Sequence, residues 1–326
     1  MKKVRVGVVG VGRMGQYHVG VYSQIFHTDL VGVADINEQR AREIAEKYNT
    51  AAYTDYRELL DKVEVVSVAV PTRYHHPVAL HVLLEKPMAS SLQEAIELFD
   101  IAQSNGLALH IGHVERFNGA VQELKKIVEQ PIFIESRRLG PFEPRIKDEG
   151  VVLDLMIHDL DIILHLVNSK VIQLNVLGCS IMSTHEDLAN VQLLFENGCI
   201  ANITASRVTQ HKIRTLAVTQ RDAYVFLNYT DQDIHIHRHA SSEHILTKKE
   251  LRYKQESVVE RIFVHKDNPL KLEVLHLLDC ATNGAEREVP VDGELYSLEI
   301  ALQLLERLKG KKGAVTEHAV GGLPGV

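Results

Sequence analysis

The sequence has few cysteines, no long apolar run and no excess of positive charge, and each absence excludes a class of protein. The three cysteines are scattered, without metal-ligand spacing or a disulfide framework, which favours a reducing compartment. The apolar runs are far shorter than the roughly 20 residues that span a bilayer. Lys and Arg number 36 against 43 Asp and Glu, giving a net charge of −7. We therefore expect neither a nucleic-acid partner nor an anionic membrane surface.

What is present indicates a globular protein of two domains. The chain has 326 residues, of which 45% are hydrophobic and 24% are charged. Two lysines precede an apolar run at the start, as in a signal peptide, but Arg5 interrupts the run and a glycine loop follows it. We therefore expect a cytoplasmic protein.

Strands and helices alternate over the first 115 residues. We predict strands at 4–9, 30–34, 63–70, 81–84 and 107–111. We predict helices at 14–26, 38–48 and 92–102, with N-caps at Asn37 and Ser91. Such alternation with fully apolar strands is typical of a parallel sheet covered on both faces, as in an α/β Rossmann domain.

The pattern changes at about residue 118, which predicts a domain boundary between 1–117 and 118–326. A helix at 120–128 and a strand at 132–138 come first. Six further strands are predicted at 171–179, 188–195, 200–207, 214–219, 223–228 and 234–238. Helices near 269–282 and 295–309 follow, so the second domain has an α+β composition.

The connection between the strands at 63–70 and 81–84 is short. If these strands are parallel neighbours, only ten residues, Pro71 to Leu80, cross between them. Such crossovers normally take a dozen or more residues. Either the crossover helix is unusually short or residues are missing between His75 and Glu85, and we favour the second explanation.

The loop after the first strand has the dinucleotide-binding pattern G-x-G-x-x-G. Its residues are Gly10, Val11, Gly12, Arg13, Met14 and Gly15. The glycines allow a tight turn, a close backbone approach to a pyrophosphate, and close packing of helix on strand. Asp35 ends the next strand, where it would accept hydrogen bonds from the ribose hydroxyls and repel a 2′-phosphate. We therefore expect NAD, although the nearby Arg40 keeps NADP open.

Two further segments follow strands, at the end where doubly wound sheets bind ligands. The first contains Pro71, Thr72 and His75, and the second contains Glu85 and Lys86. Lys86 would lie beside the cofactor crevice, where its positive charge would stabilise a developing alkoxide. The alternative is that Lys86 is an ordinary solvated lysine at the end of a strand.

The apolar segment at 150–167 carries ionisable residues at spacings of four, three and four. They are Asp154, His158, Asp161 and His165. On an α-helix they share one stripe, and Asp159 lies outside it. Charged groups among apolar residues pair, bind metal or take part in catalysis. The alternative to an active site is a buried Asp–His pair that only stabilises the fold.

Taken in order, several of these segments resemble the glucose–fructose oxidoreductase/inositol dehydrogenase/MocA (Gfo/Idh/MocA) family. They are GVGRMG, PTRYH, EKP, HVERFN, DLMIHDLD and NGCIANITASR. The resemblance implies a Rossmann domain followed by a domain with a large, mostly antiparallel open sheet that mediates homodimers or homotetramers. It also implies NAD(P)-dependent oxidation or reduction of a sugar or polyol carbon. Gly119 departs from the pattern, because many members have proline there.

The resemblance, together with the demands of hydride transfer, assigns three catalytic residues. A base must take the hydroxyl proton as hydride leaves, and histidine, with an unperturbed pKa of about 6.5, suits this role. We assign His158 as the base, Asp154 as the residue that orients it or binds substrate, and Lys86 as the partner of the reacting oxygen. Asp161 and His165 are expected to be structural.

The main alternative use of the stripe is a metal site. Asp154, His158 and Asp161 would then supply ligands, and His235 and His237 are two further imidazoles on one strand face. The hydride chemistry that the resemblance implies needs no metal, so none is expected.

The substrate is less sharply indicated. The segments HVERFN, RRLGPFEPR and SRVTQHKIR are most similar to those of dehydrogenases acting at C3 of UDP-N-acetylhexosamines. Four arginines in or near them offer charge to a diphosphate, although each alone is better explained as a surface or sheet residue: Arg138, Arg145, Arg207 and Arg214. The alternatives are a free sugar or inositol dehydrogenase and a cofactor-binding regulator without chemistry.

Overall fold

The computed structural model describes residues 3–72, 81–143, 149–247 and 250–310, with the backbone alone at 239–257 and at residue 310. The chain forms two compact units. The first contains the chain up to residue 127, together with 231–234 and 263–298. Among the described residues, the second contains 128–230, 235–262 and 299–310. The division at 117/118 stays a prediction, since these units are assembled from separate segments.

The first unit contains a six-stranded sheet in which all neighbouring strands run parallel. The strands are β1 (Val4–Val9), β2 (Thr28–Ala34), β3 (Ala51–Tyr53), β4 (Val65–Val68), β5 (His81–Leu84) and β6 (Leu109–Ile111). Their order is β3-β2-β1-β4-β5-β6, which is the Rossmann order. Because the strands are parallel, all their carboxyl ends lie at one edge, and the order changes direction between β1 and β4.

The first unit contains several whole α-helices, and most of these begin at a side-chain cap. They are α1 (Arg13–Gln24), α2 (Glu38–Tyr48), α3 (Tyr56–Leu60), α4 (Leu92–Ser104), α5 (Gly119–Ile127) and α7 (Pro269–Asn283). The Asn37 side chain accepts from the N–H of Arg40, and the Ser91 hydroxyl accepts from the N–H of Glu94. Both predicted N-caps are therefore confirmed.

The core of the first unit joins the start of the chain to a helix near its end. Val6 and Val8 of β1, Tyr22 of α1, and Val274 and Leu277 of α7 belong to one buried cluster. Burying a valine or leucine side chain completely contributes about 1.5–3 kcal/mol. The helix α7 is therefore part of this core.

Gly119, which departs from the family pattern, has a structural reason within the first unit. Its N–H donates to the side chain of Gln232 at 3.2 Å, a bond that proline cannot make. A Cβ at this position would also lie 2.5 Å from the carbonyl oxygen of His265. The local chain path therefore favours glycine here.

The second unit contains an open eight-stranded sheet. Its strands are β7 (Phe133–Leu139), β8 (Val171–Cys179), β9 (Leu188–Phe195), β10 (Ile200–Ser206), β11 (Ile213–Thr219), β12 (Ala223–Asn228), β13 (Asp233–Thr247) and β14 (Glu250–Ile262). Their order is β14-β13-β12-β11-β7-β10-β9-β8. The pair β7–β10 is parallel, whereas β8–β9, β9–β10, β7–β11 and β11–β12 are antiparallel. The predicted α+β domain with a mostly antiparallel sheet is confirmed.

The helix predicted at 150–167 has two parts. Val152–Met156 forms a π-helical turn, and α6 (Ile157–Val167) continues from it. Both parts pack on β10, and α6 also contacts β7. The last helix among the described residues is α8 (Val291–Gly310).

Some elements differ from the sequence predictions. The short β3 and α3 were not predicted, and neither was β14. The strand predicted to end at residue 238 continues to Thr247. The strands β4 and β5 are parallel neighbours, as the short-crossover argument assumed. Residues 73–80 lie outside the described part of the chain, so the suggestion that residues are missing there stays a prediction.

Candidate active site

The glycine loop has the backbone geometry that its sequence predicts. Gly10 has a φ of 83°, and a Cβ there would lie 2.6 Å from the carbonyl oxygen of Ala69. A Cβ on Gly15 would lie 1.8 Å from the carbonyl oxygen of Gly10. At Gly12 an added Cβ meets no atom of the described residues within 4 Å. The loop is therefore closed tightly on its protein side and open at Gly12, as the approach of a pyrophosphate requires.

The amino terminus of α1 is suited to an anion. Gly12 is its N-cap and provides no side-chain cap, so the first N–H groups and the positive end of the helix dipole serve a phosphate. Arg13 and Met14, in the first turn, are exposed. These features fit the pyrophosphate of a dinucleotide.

Asp35 connects the second strand to the glycine loop. One carboxylate oxygen accepts from the N–H of Val11 at 2.9 Å, and the other accepts from the N–H of Asn37 at 2.9 Å. These bonds hold the carboxylate at the carboxyl end of β2. The guanidinium of Arg40 lies 4.0 Å from the same carboxylate. The two groups expected to decide the preference between NAD and NADP are therefore adjacent.

The other predicted cofactor residues of the first unit follow β4 and β5 at the same edge of the sheet. Pro71 is exposed and Thr72 is partly buried, whereas His75 lies outside the described residues. Glu85 is buried, and its carboxylate lies 2.7 Å from Nε2 of His18. Lys86, the next residue, is half-buried.

Glu85 is packed closely on its other side as well. A Cβ on Gly112 would lie 3.1 Å from the Glu85 carboxylate. The carboxylate is thus held between His18 and the strand end after β6. Its observed contacts orient the β5 end that carries Lys86, whereas its contact with a cofactor stays a prediction.

The candidate proton-handling residues, Asp154 and His158, belong to the second unit. Asp154 lies within the π-helical turn and His158 lies at the start of α6, and both are partly exposed. The predicted stripe assumed 3.6 residues per turn throughout, whereas π-helical hydrogen bonds run from i to i+5. The prediction of ideal α-helical spacing between these two residues was therefore wrong.

The remaining residues of the stripe are held within the protein. Asp161 is buried, and its backbone carbonyl accepts from Nδ1 of His165 at 2.6 Å. The Asp161 carboxylate lies 3.6 Å from the same nitrogen. These contacts support a structural role for both residues.

Asp159, outside the stripe, forms a buried ion pair with Arg138 of β7. Its carboxylate accepts from Nε of Arg138 at 2.5 Å and from the Ser136 hydroxyl at 2.8 Å. The Arg138 guanidinium also lies over the ring of Tyr229, 4.9 Å from its centroid. Because Ser136 and Arg138 belong to β7, this network fixes the helix that carries His158 to the centre of the sheet.

A second carboxylate holds the start of the same segment. The Glu186 side chain accepts from the N–H of Val152 at 3.2 Å, as an anion does at a helix amino terminus. A Cβ on Gly150 would lie 2.0 Å from this carboxylate. Sequence patterns did not indicate Glu186, because the contact joins residues 34 positions apart.

Of the arginines considered for a diphosphate, two are committed to buried ion pairs. Arg138 pairs with Asp159, and Arg207 donates to Asp187 at 2.7 Å. The structural alternative is confirmed for both. Arg214 is partly buried, and Arg145 lies outside the described residues.

Asp187 is the centre of a dense set of donors. Burial alone would raise the pKa of Asp187. The N–H groups of Ile181 and Met182, the Ser183 hydroxyl and Arg207 outweigh burial, so the pKa lies below its usual range. Asp187 is therefore ionised at neutral pH and organises the loop between β8 and β9.

Comparison with known families agrees with this architecture. Residues 4–113 match the model of an oxidoreductase family with an NAD-binding Rossmann fold, and residues 121–225 match the GFO/IDH/MocA C-terminal domain. The chain belongs to the GFO/IDH/MocA family. This membership, the glycine loop and the named relatives of the chain make the protein an NAD(P)-dependent dehydrogenase.

Among relatives of this GFO/IDH/MocA protein is a UDP-N-acetylglucosamine 3-dehydrogenase of Acidithiobacillus ferrooxidans. It is 36% identical over 251 residues, covering 74% of this chain and 80% of the relative. A solved structure of the enzyme with that name superposes with a TM-score of 0.85 at 30% identity, covering 95% of this chain and 99% of that chain. A myo-inositol 2-dehydrogenase of Thermotoga maritima is 28% identical, covering 63% and 68% of the two chains.

The GFO/IDH/MocA protein shows no membrane-spanning helix among its described residues: none there is both long and apolar enough.

On the strand β13, His235 is partly buried and His237 is exposed, with the His237 ring 5.8 Å from that of Tyr224. The role of these imidazoles as metal ligands stays untested.

Proposed function

We propose that this dehydrogenase oxidises the secondary hydroxyl at C3 of a UDP-N-acetylhexosamine, with NAD as the hydride acceptor. The observation that carries the substrate is the 36% identity to a UDP-N-acetylglucosamine 3-dehydrogenase over most of both chains. The named inositol dehydrogenases match at lower identity or over shorter stretches.

The residues of the chain supply binding and proton transfer. Asp35 would accept hydrogen bonds from the adenosine ribose, and the amino terminus of α1 would hold the pyrophosphate. NAD, when bound, supplies the hydride-accepting nicotinamide. His158 takes the proton of the reacting hydroxyl, and Asp154 orients the base or holds a neighbouring hydroxyl. Lys86 donates a hydrogen bond to the reacting oxygen and stabilises negative charge there.

Substrate identity is tested with the purified protein, NAD and a panel of substrates. The panel contains UDP-N-acetylglucosamine, UDP-N-acetylgalactosamine, UDP-glucose, glucose, glucose 6-phosphate and myo-inositol. Reduced cofactor is followed by absorbance, and the position of oxidation is read from the product by NMR. We expect the highest kcat/KM with a UDP-N-acetylhexosamine and oxidation at C3. Highest turnover of a free sugar or inositol would replace the substrate, and tight NAD binding without turnover would favour the regulator.

The role of His158 is tested by His158→Ala, with His165→Ala as the matched control. Both histidines lie on α6, and the control ring is bonded to a backbone carbonyl. Loss of a general base lowers turnover by about 10²–10⁴-fold, so we expect such a loss in His158→Ala with NAD affinity unchanged. His165→Ala should retain turnover. A His158→Ala enzyme that keeps wild-type kcat would remove this residue from the base role.

We further propose that the protein is cytoplasmic and assembles as a homodimer or homotetramer through the sheet of its second unit. The support is the large sheet and the exposed apolar side chains on its strand β8, Ile172 and Leu177. Sedimentation of the full chain tests the assembly, and a monomer at micromolar concentration would contradict it.

A further inference from the structure

Three soft or borderline metal ligands meet in the first unit, apart from the glycine loop. His110 belongs to β6, and His276 and Cys280 lie one turn apart on α7. One ligand atom from each residue lies within 4.8 Å of the other two. The spacing H-x-x-x-C on a helix puts both side chains on one face. The sequence prediction that the cysteines lack metal-ligand spacing overlooked this His–Cys pair.

His110 supplies an observation that points to a missing ligand. Only 6% of the residue is exposed, and its Nε2 is buried with no hydrogen-bond partner among the described residues. Buried polar atoms are nearly always bonded, and leaving one unbonded has an energetic cost. A ligand at this cluster removes that cost.

The separations suit a tetrahedral ion. The Cys280 sulfur lies 3.8 Å from Nε2 of His276. Zinc–sulfur and zinc–nitrogen bonds of about 2.3 and 2.0 Å place two ligand atoms about 3.5 Å apart at the tetrahedral angle. The rings of His110 and His276 have centroids 5.1 Å apart and are tilted by 50°. The rings are therefore not stacked face to face.

The surroundings carry both signs of charge. Burial, with smaller contributions from Arg287, His276 and Arg116, lowers the pKa of His110 to about 3. Burial also lowers the pKa of His276, although Glu288 and Asp279 oppose this. A metal ion coordinates an imidazole in its neutral form.

We propose that His110, His276 and Cys280 bind a divalent ion of the zinc class. The thiol of Cys280 loses its proton to solvent as its sulfur coordinates the ion. Without metal, Nε2 of His276 accepts a hydrogen bond from the N–H of Glu288 at 3.1 Å. A bond from Nε2 to the metal replaces this hydrogen bond. His276 and Cys280 are partly exposed, which gives the ion access and leaves a fourth position for water. The ion ties α7 to the edge strand β6 and takes no part in hydride transfer.

The test uses cobalt(II) as a spectroscopic probe. The full-length protein is first freed of metal with a chelator, and its thiols are then reduced. We expect one equivalent of cobalt to produce a thiolate-to-cobalt charge-transfer band in the near ultraviolet, and zinc to displace it. Changing an outer partner of a metal site costs about 10–100-fold in affinity, so Cys280→Ser, which removes a ligand, should lose at least that much. Cys179→Ser, which changes another partly exposed cysteine, is the matched control.

Two further outcomes decide the proposal. His110→Phe should also lose the band, and it fills the position with an aromatic ring. Zinc should raise the melting temperature of the wild type and of Cys179→Ser, but not that of Cys280→Ser. A band that survives in Cys280→Ser, or no one-to-one cobalt binding by the wild type, would overturn the site. Neither result depends on turnover, so failure here leaves the proposed dehydrogenase activity untouched.

Discussion

Removing the Asp159 carboxylate should destabilise the second unit strongly. The side chain of its partner, Arg138, is only 2% exposed, and the two groups meet at 2.5 Å. In Asp159→Asn the guanidinium keeps its buried position but loses its counter-charge. Breaking a buried pair from one side costs about 3–5 kcal/mol. For a domain of 150–250 residues each kcal/mol lowers the melting temperature by about 2–4 °C. We therefore expect a fall of roughly 6–20 °C.

The measurement is thermal unfolding by circular dichroism, with a surface pair as the control. Asp222 and Arg238 are the same two residue types in the same unit, 2.8 Å apart, with side chains 67% and 36% exposed. Exposed pairs contribute about 0–1 kcal/mol, so Asp222→Asn should change the melting temperature little.

A double variant separates loss of the ion pair from a general disturbance of α6. Replacing both members of a buried pair by apolar side chains is often neutral or stabilising. Arg138→Met combined with Asp159→Leu should therefore be more stable than Asp159→Asn. Equal melting temperatures for Asp159→Asn and Asp222→Asn would refute the reasoning, as would a double variant less stable than the single one.

Three other predictions follow from single contacts. Gly15→Ala places a Cβ 1.8 Å from the Gly10 carbonyl oxygen, so NAD binding measured by calorimetry should weaken by about tenfold (1.4 kcal/mol) or more; wild-type affinity would contradict the tight turn. Asp35→Ala should lower NAD affinity and raise the ratio of NADP to NAD affinity, and an unchanged ratio would exclude Asp35 as the discriminating residue. The lowered pKa of Asp187 adds stability that is complete above the unfolded value, about 3.9, and is lost as pH falls towards the folded value. Below about pH 4, the melting temperature should therefore fall more steeply with pH for the wild type than for Asp187→Asn. Parallel plots of melting temperature against pH would contradict this.

Much of the fold was predictable because local patterns agree with tertiary structure. Strands at 4–9, 171–179, 188–195 and 223–228 have the predicted bounds, since alternating or continuous apolar residues decide them. The strand β14 was missed because LRYKQESVVERI is largely polar, and its place in the sheet depends on pairing with β13. The π-helical turn was missed because its hydrogen-bond pattern has no simple periodic signature.

The candidate site was predictable only in part, for a related reason. Motif residues such as Gly10 and Asp35 act through local backbone geometry that a short sequence fixes. The contacts of Asp159 with Arg138 and of Glu186 with Val152 join distant segments. Their partners become visible only when the sheet and helix are assembled.

The discontinuity of the first unit bears on how the protein is made. The ribosome releases β1 and α1 early, but their core also contains Val274 and Leu277 of α7. At about 5–20 residues per second, α7 emerges roughly 12–50 seconds later. Until then the apolar face that α7 covers stays open to water and to chaperones. A fragment ending at residue 127 would keep the glycine loop yet lack part of its own core, so the cofactor half of this enzyme matures only after most of the other half has been synthesised.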